Sequence, residues 1–182
     1  MQWTIPGTTL TGERSNADRT AELFQTMFLA GGLTLSQVAS ITGLEPYTIQ
    51  NWVKRGFLPS PKNKRYDMEQ LCRLINMNIL KGTMPLEQIT CLMAYLNGDL
   101  ADESDDLVDD TLLFFLFVKL AARARYIGGT KAWDDALVEI TEDYQEPVPG
   151  AREKLIKVLK IMLTIWCANA LKAQAQDMIA EL

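Results

Sequence analysis

The stretch TIQNWVKRGFLPSPKNKRY, Thr48 to Tyr66, gathers Lys54, Arg55, Lys62, Lys64 and Arg65 around an apolar ladder and two closely spaced prolines. Ile49, Trp52 and Val53 recur at helical spacing and so face a core, which turns Tyr47, Thr48, Gln50, Asn51, Lys54 and Arg55 outward. Hydroxyl and amide side chains at the N-terminal end of such a helix read base edges in a major groove, and Gln50 and Asn51 can each pair bidentately with adenine. The cations Lys54, Arg55, Lys62, Lys64 and Arg65 suit phosphates, which position a protein on a duplex without specifying its sequence. Tyr66 suits either a sugar–phosphate contact or a place in the packing under the basic loop. The plainer alternative is a well-solvated helix followed by a charged loop.

Charge distribution favours the nucleic-acid reading although total charge does not. The 182-residue chain carries a formal net charge of −5. Between Gly31 and Lys81, seven Lys and Arg stand against three acids, a local +4 that leaves −9 for the rest. Such asymmetry fits a nucleic-acid-contacting module attached to an acidic partner domain.

Other chemistries have less to work with. The chain has no histidine, which removes the commonest general base and every Ser-His or Cys-His nucleophile system. Cys72, Cys91 and Cys167 are scattered, odd in number and set in apolar helical patterns. They make neither a disulfide framework nor a metal site, and Cys72 and Cys91 read as small core residues. No cofactor and no enzymatic activity are expected. The seven acids between Asp99 and Asp110 lack the spacing of a calcium loop. No stretch reaches the roughly 18 uncharged apolar residues of a membrane span, and the N-terminus shows no secretion signal, so a cytoplasmic protein with no membrane partner is expected.

The elements that must position the basic stretch read as helices throughout, an all-α fold. Residues 1–32 form a Pro/Gly-containing arm and an extra helix, Ala17 to Ala30, with Leu23, Met27 and Ala30 on one stripe beside Phe24 and Phe28. Thr34 caps a short helix with Leu35, Val38, Ala39 and Ile41 inside and Gly43 as its left-handed stop. Pro46 opens the next helix at a position where its missing N–H costs nothing. About three residues join the two, as in a helix-turn-helix. Pro59 to Lys64 cannot be helical, and Asp67 with Gln70 makes a capping box for a helix from Met68 to Lys81. Pro85 starts another, closed at Asn97-Gly98. In the acidic run Ser104 can cap a helix that carries Asp105 and Asp106 in its first turn and continues through LLFFLFVKLAARARY to Gly128-Gly129. Thr130 caps the next, and the last runs from Ala151 to about Leu182, apolar on nearly every side between Leu155 and Leu171.

Residues Leu33 to Met93 resemble the DNA-binding domain of the MerR family. LTLSQVASITGLEPYTIQNWVKRGFLPSP matches that family's helix-turn-helix and its approach to the wing, NKRYDMEQL its Tyr-Arg segment, and KGTMPLEQI the start of its following helix pair. Gly43, Pro46, Gly56 and Pro59 keep its punctuation. The Arg-Tyr-Tyr that the family carries on its recognition helix is Gln50-Asn51-Trp52 here, so a basic and an aromatic phosphate contact are missing. Arg14 and Arg19 of the arm could supply part of the difference. The whole chain also looks like an uncharacterised bacterial family of regulators, MerR-like in its first half and all-helical in its second.

The resemblance implies a winged helix-turn-helix module over residues 33–98 and an all-helical dimerisation or effector domain over residues 99–182. It implies a homodimeric, sequence-specific regulator of transcription on double-stranded DNA, with an unknown small-molecule or protein effector at the C-terminal domain. Two other readings stand beside it: an excisionase-like architectural DNA-binding protein, and a helical protein-interaction module whose basic surface is incidental.

Overall fold

The computed structural model describes residues 2–98, 100, 105–124 and 130–182, apart from the side chain of Thr130. The chain is mostly helical, with one small sheet. Strands β1 (Gln2–Thr4) and β2 (Thr11–Glu13) pair antiparallel, Trp3 opposite Gly12. Helices α1 (Arg19–Phe28), α2 (Leu35–Thr42), α3 (Pro46–Lys54), α4 (Met68–Lys81) and α5 (Leu86–Asn97) follow, then α6 (Asp110–Arg123), α7 (Thr130–Ile140) and α8 (Ala151–Ala180).

Local chemistry sets the boundaries of α2, α3 and α4. Thr34 and Gln37 form a capping box at the start of α2, and Gly43 ends it at φ 67°. Pro46 occupies the first turn of α3. Asp67 and Gln70 form a second capping box at α4. Each box satisfies backbone N–H groups that a helix start leaves without partners.

The N-terminal hairpin was not foreseen as strands. Its loop lies over the C-terminal end of α2: Thr9 donates through its backbone N–H to Ile41 O (2.8 Å) and through its hydroxyl to Ser40 O (2.6 Å). Asn78 Nδ2 on α4 donates to Gly7 O (3.0 Å) and Thr42 O (2.9 Å). A Cβ at Gly7 would come within 2.9 Å of Ile75 O and nearer still to the Ile75 and Ile79 side chains, so the loop sits too close to α4 for any larger residue.

Helix α4 is the centre of the molecule. Every residue from Gln70 to Met77 is buried, and α4 packs against α2, α5, α6 and α8. One apolar cluster runs from Ile5 and Phe24 through Leu71 and Ile75 to Phe114, Phe117, Val158 and Leu163, so the core is continuous across position 98. The LLFFLF run lies mostly in the core, with Leu112 exposed: Phe24 meets Phe114 and Phe115 at ring centroid distances of 5.2 and 5.7 Å.

Several expectations need correction. Helix α1 is shorter than expected and buries Phe24 and Thr20, whereas Leu23 is 38% exposed and Ala30 is outside the helix and exposed. Helix α6 begins at Asp110, with Asp109 accepting from the Leu112 N–H (2.8 Å), so Asp105 and Asp106 precede the helix. The proposed cap Ser104 and the stop Gly128-Gly129 lie outside the described residues, and the helix ends at Arg123. Cys91 is exposed, unlike Cys72 and Cys167, whose thiols burial pushes upward. Helix α8 loses its cover earlier than its composition suggests, since every residue from Leu171 onward is exposed.

Candidate nucleic-acid interface

Helix α3 is held by its inner face. Ile49 is fully buried, Trp52 is 4% exposed and Val53 is half-buried. The opposite face is open: Tyr47 is 77% exposed, Gln50, Lys54 and Arg55 are exposed, and Thr48 and Asn51 are half-buried. Gly56, at φ 74°, then reverses the chain, and the Phe57 N–H bonds to Trp52 O (2.9 Å).

The following segment makes a tight turn. Lys62 and Arg65 form an antiparallel bridge with Arg65 N–H on Lys62 O (2.9 Å), and the two residues between them, Asn63 and Lys64, have φ values of 51° and 60°. Positive φ at both central positions defines a type I′ turn, which asparagine tolerates and lysine adopts only at a cost. Four contacts strap this turn to the body. Leu33 and Tyr66 exchange backbone hydrogen bonds at 2.8 Å each way. Arg65 Nη1 donates to Gly32 O (2.9 Å), where a Cβ would meet Tyr66 O at 2.8 Å. Gln70 Nε2 donates to both Pro59 O and Ser60 O (3.1 and 3.2 Å). Arg73 Nε donates to Phe57 O (2.9 Å).

The anticipated cations divide into two groups. Lys54, Lys62 and Lys64 are exposed and enter none of the ion pairs among the described residues. Arg55 lies over the Phe57 ring and pairs with Glu87 of α5 at 3.3 Å, and Arg65 is exposed but partly spent on Gly32. Glu87 is held below the usual carboxylate range by its own backbone N–H and by Arg55.

Tyr66 takes the packing alternative, and Arg14 is spent elsewhere. Tyr66 is 3% exposed and burial raises its phenol, so it is packing beneath the turn and not a surface contact. Arg14 closes the end of α6, donating to Ala122 O (2.9 Å) and also to Ala121 O and Ala124 O, which removes it as a reserve phosphate contact. Arg19 is exposed. Arg73 does not belong to the basic surface at all.

Arg73 is instead the centre of a buried polar group that went unforeseen. Its Nη1 meets Asp110 Oδ2 at 2.9 Å, with the two side chains 9% and 3% exposed. Asn76, one turn further along α4, donates from Nδ2 to Asp110 O and Oδ1 (3.0 and 3.1 Å). Burial raises Asp110, opposed by the charge of Arg73 and the hydrogen bond from Asn76. The group therefore ties the backbone just after α3 to the first turn of α6. A trace of it is in the sequence: Arg73 and Asn76 stand three apart in LCRLINMNIL, where a single helical face must take both.

A cleft of about 210 Å³ borders this group, lined by Lys62, Asp67, Glu69, Asn97 and Asp106 among others. Among the described residues no cluster of His, Cys, Asp and Glu is placed to hold a metal ion. No helix of the described residues is long and apolar enough to cross a membrane.

Residues 23–111 match the model of a family described as a domain of unknown function, DUF1836, a span just under half of the chain. The match begins within α1 and ends just past Asp110, so it includes every member of the buried polar group. No curated protein matches the chain, and no solved structure does.

Proposed function

We propose that the chain is a sequence-specific double-stranded DNA-binding regulator. In this reading α2 and α3 are a helix-turn-helix, α3 enters the major groove, and the turn Lys62–Arg65 is a short wing. Tyr47, Thr48, Gln50 and Asn51 face base edges, while Lys54, Lys62, Lys64 and Arg65 meet phosphates.

One observation carries the reading. In a chain whose acids outnumber its Lys and Arg by 23 to 18, Lys54, Lys62 and Lys64 fall within eleven residues and none pairs with an acid among the described residues. Surface charge that serves only solubility has no need of rigid placement. Here Lys64 stands at the tip of a turn in a backbone conformation that costs a lysine roughly 1–2 kcal/mol, on a segment strapped to residues 32–33 and to α4. Strain retained under an unpaired cation supports a surface that meets an anion.

Fluorescence anisotropy with duplexes selected from a random library tests this. Wild type is expected to bind with a steep salt dependence, and Lys54→Ala/Lys62→Ala/Lys64→Ala to lose about 0.9 units of slope per phosphate contact removed. Gln50→Ala or Asn51→Ala is expected to cost about 1–3 kcal/mol on the selected site and little on other duplexes. A wild type that binds no duplex at low salt, or a triple variant that binds as well as wild type, would refute the reading.

A further inference from the structure

Three parts of the chain meet at the cleft of about 210 Å³ beside the buried polar group: the loop after α3, the first turns of α4, and the junction between α5 and α6. Asn97, the last residue of α5, lines this cleft and is 6% exposed. Its Oδ1 has no hydrogen-bond partner among the described residues. A buried acceptor left unmet costs free energy that a bound donor recovers.

The rest of the wall narrows what that donor can be. Gln70 Nε2 serves Pro59 O and Ser60 O, and Arg73 serves Phe57 O and the Asp110 carboxylate, so these donors are engaged by the protein itself. By charge, the four acids Asp67, Glu69, Asp106 and Asp110 face two cations, Lys62 and Arg73, a formal −2 that disfavours an anion. Among the described residues no cluster of acids is placed to hold a metal ion. The cleft is smaller than the roughly 300 Å³ at which sites for drug-sized ligands begin, and Pro59 and Leu100 give it an apolar edge. These features together select a small organic cation with N–H groups, whose hydrogen bonds to a carbonyl or a carboxylate are charge-assisted.

We propose that this cleft binds a small alkylammonium ion. Its N–H groups donate to Asn97 Oδ1 and toward the acidic wall, and its alkyl chain lies along Pro59 and Leu100. The proposal stands on Asn97 and on the charge of the cleft, independently of any DNA contact.

Isothermal titration calorimetry of the full chain tests it, with butylammonium as the probe, tetramethylammonium as a cation without N–H groups, and butanol as the uncharged chain. Wild type is expected to bind butylammonium in preference to both controls. Asn97→Leu keeps the shape of the side chain and removes the acceptor. It is expected to weaken binding about 10- to 100-fold, the worth of one hydrogen bond to a charged group, with an unchanged circular dichroism spectrum. Asp106→Asn, at a half-buried position, is expected to weaken binding as well and carries the test if Asn97→Leu does not fold. A wild type that takes up tetramethylammonium as readily as butylammonium overturns the proposal, because the acids then act only as diffuse counter-charge. So does a wild type that binds no butylammonium at millimolar concentrations, which leaves Asn97 to solvent, and so does an Asn97→Leu chain that binds as well as wild type.

Discussion

Replacing Arg73 by methionine keeps most of the buried stem and removes the charge. Asp110 loses its partner at 2.9 Å and Phe57 O loses its donor, while Asn76 remains on the carboxylate. Breaking a buried pair from one side costs about 3–5 kcal/mol, because the remaining charge is left without compensation. Against a domain stability of roughly 5–15 kcal/mol, that loss is large and measurable. Its pH dependence distinguishes this cause from simple loss of packing. Burial already raises Asp110, and Arg73 is the main force holding it down, so Arg73→Met raises it further. An acid raised on folding binds its proton more tightly in the native state, so stability is fully present below its unfolded value and is lost as pH rises through the folded one. The deficit of Arg73→Met relative to wild type should therefore be larger at neutral pH than at pH ~5, because lowering the pH favours the protonated form of the buried carboxyl. Asp110→Asn in the same background should recover part of the deficit at neutral pH and flatten its pH dependence. Urea denaturation followed by circular dichroism at the two pH values measures this. A deficit under about 1 kcal/mol, or one equal at both pH values, would show that the pair is not the electrostatic tie inferred from its geometry.

Three further outcomes follow from single positions. Lys64→Gly relieves the left-handed backbone at the turn tip and should stabilise the fold by about 1 kcal/mol in urea while weakening duplex binding and lowering its salt slope by about 0.9, so an unchanged affinity would detach Lys64 from the interface. Gly7→Ala combines a φ of +71° with a Cβ within 2.9 Å of Ile75 O, and should cost more than about 1 kcal/mol; thermal melting that matches wild type would mean the hairpin loop does not rest on α4. Phe24→Ala removes a fully buried ring from the Phe114–Phe115 contact and should cost about 3–5 kcal/mol, whereas Leu23→Ala next to it should cost under about 1 kcal/mol, and equal losses would restore the Leu23 stripe as the inner face of α1.

Where a boundary depends on side chains within a few residues, it was legible in the sequence. The Thr34–Gln37 and Asp67–Gln70 boxes, the left-handed Gly43 and Pro46 in the first turn of α3 each close a local set of backbone donors or acceptors, and the structure has all of them. The outward face of α3 was legible for the same reason, since burial of Ile49 and Trp52 leaves the other positions no choice. Failures occur where a distant partner decides. Two adjacent stripes of α1 are similarly apolar, and Phe24 is the inner one because Phe114 and Phe115 meet it. Three-residue strands carry too little alternation to be read, and their loop is placed by Thr9 on α2 and Asn78 on α4. The acidic run offers several possible caps, and α6 begins at Asp110 where Arg73 and Asn76 anchor its first turn.

That last failure bears on how the candidate interface is built. Arg73 contributes to the local positive charge between Gly31 and Lys81, but it is neutralised inside by an acid from the acidic half of the chain. The same guanidinium reaches Phe57 O, three residues beyond the end of α3, and the neighbouring Gln70 holds Pro59 and Ser60. Helix α4 thus supports the segment that presents Lys62 and Lys64 through Gln70, held by Asp67, and through Arg73, which is itself fixed by α6. The match over residues 23–111 ends just after Asp110, the residue that completes this support. A change in the seating of α6 would reach the segment after α3 through one buried ion pair and one backbone carbonyl contact, at Phe57 O. The physical connection between the helical C-terminal half and the candidate interface is therefore short and rigid, and the Arg73→Met and Asp110→Asn variants act on it directly.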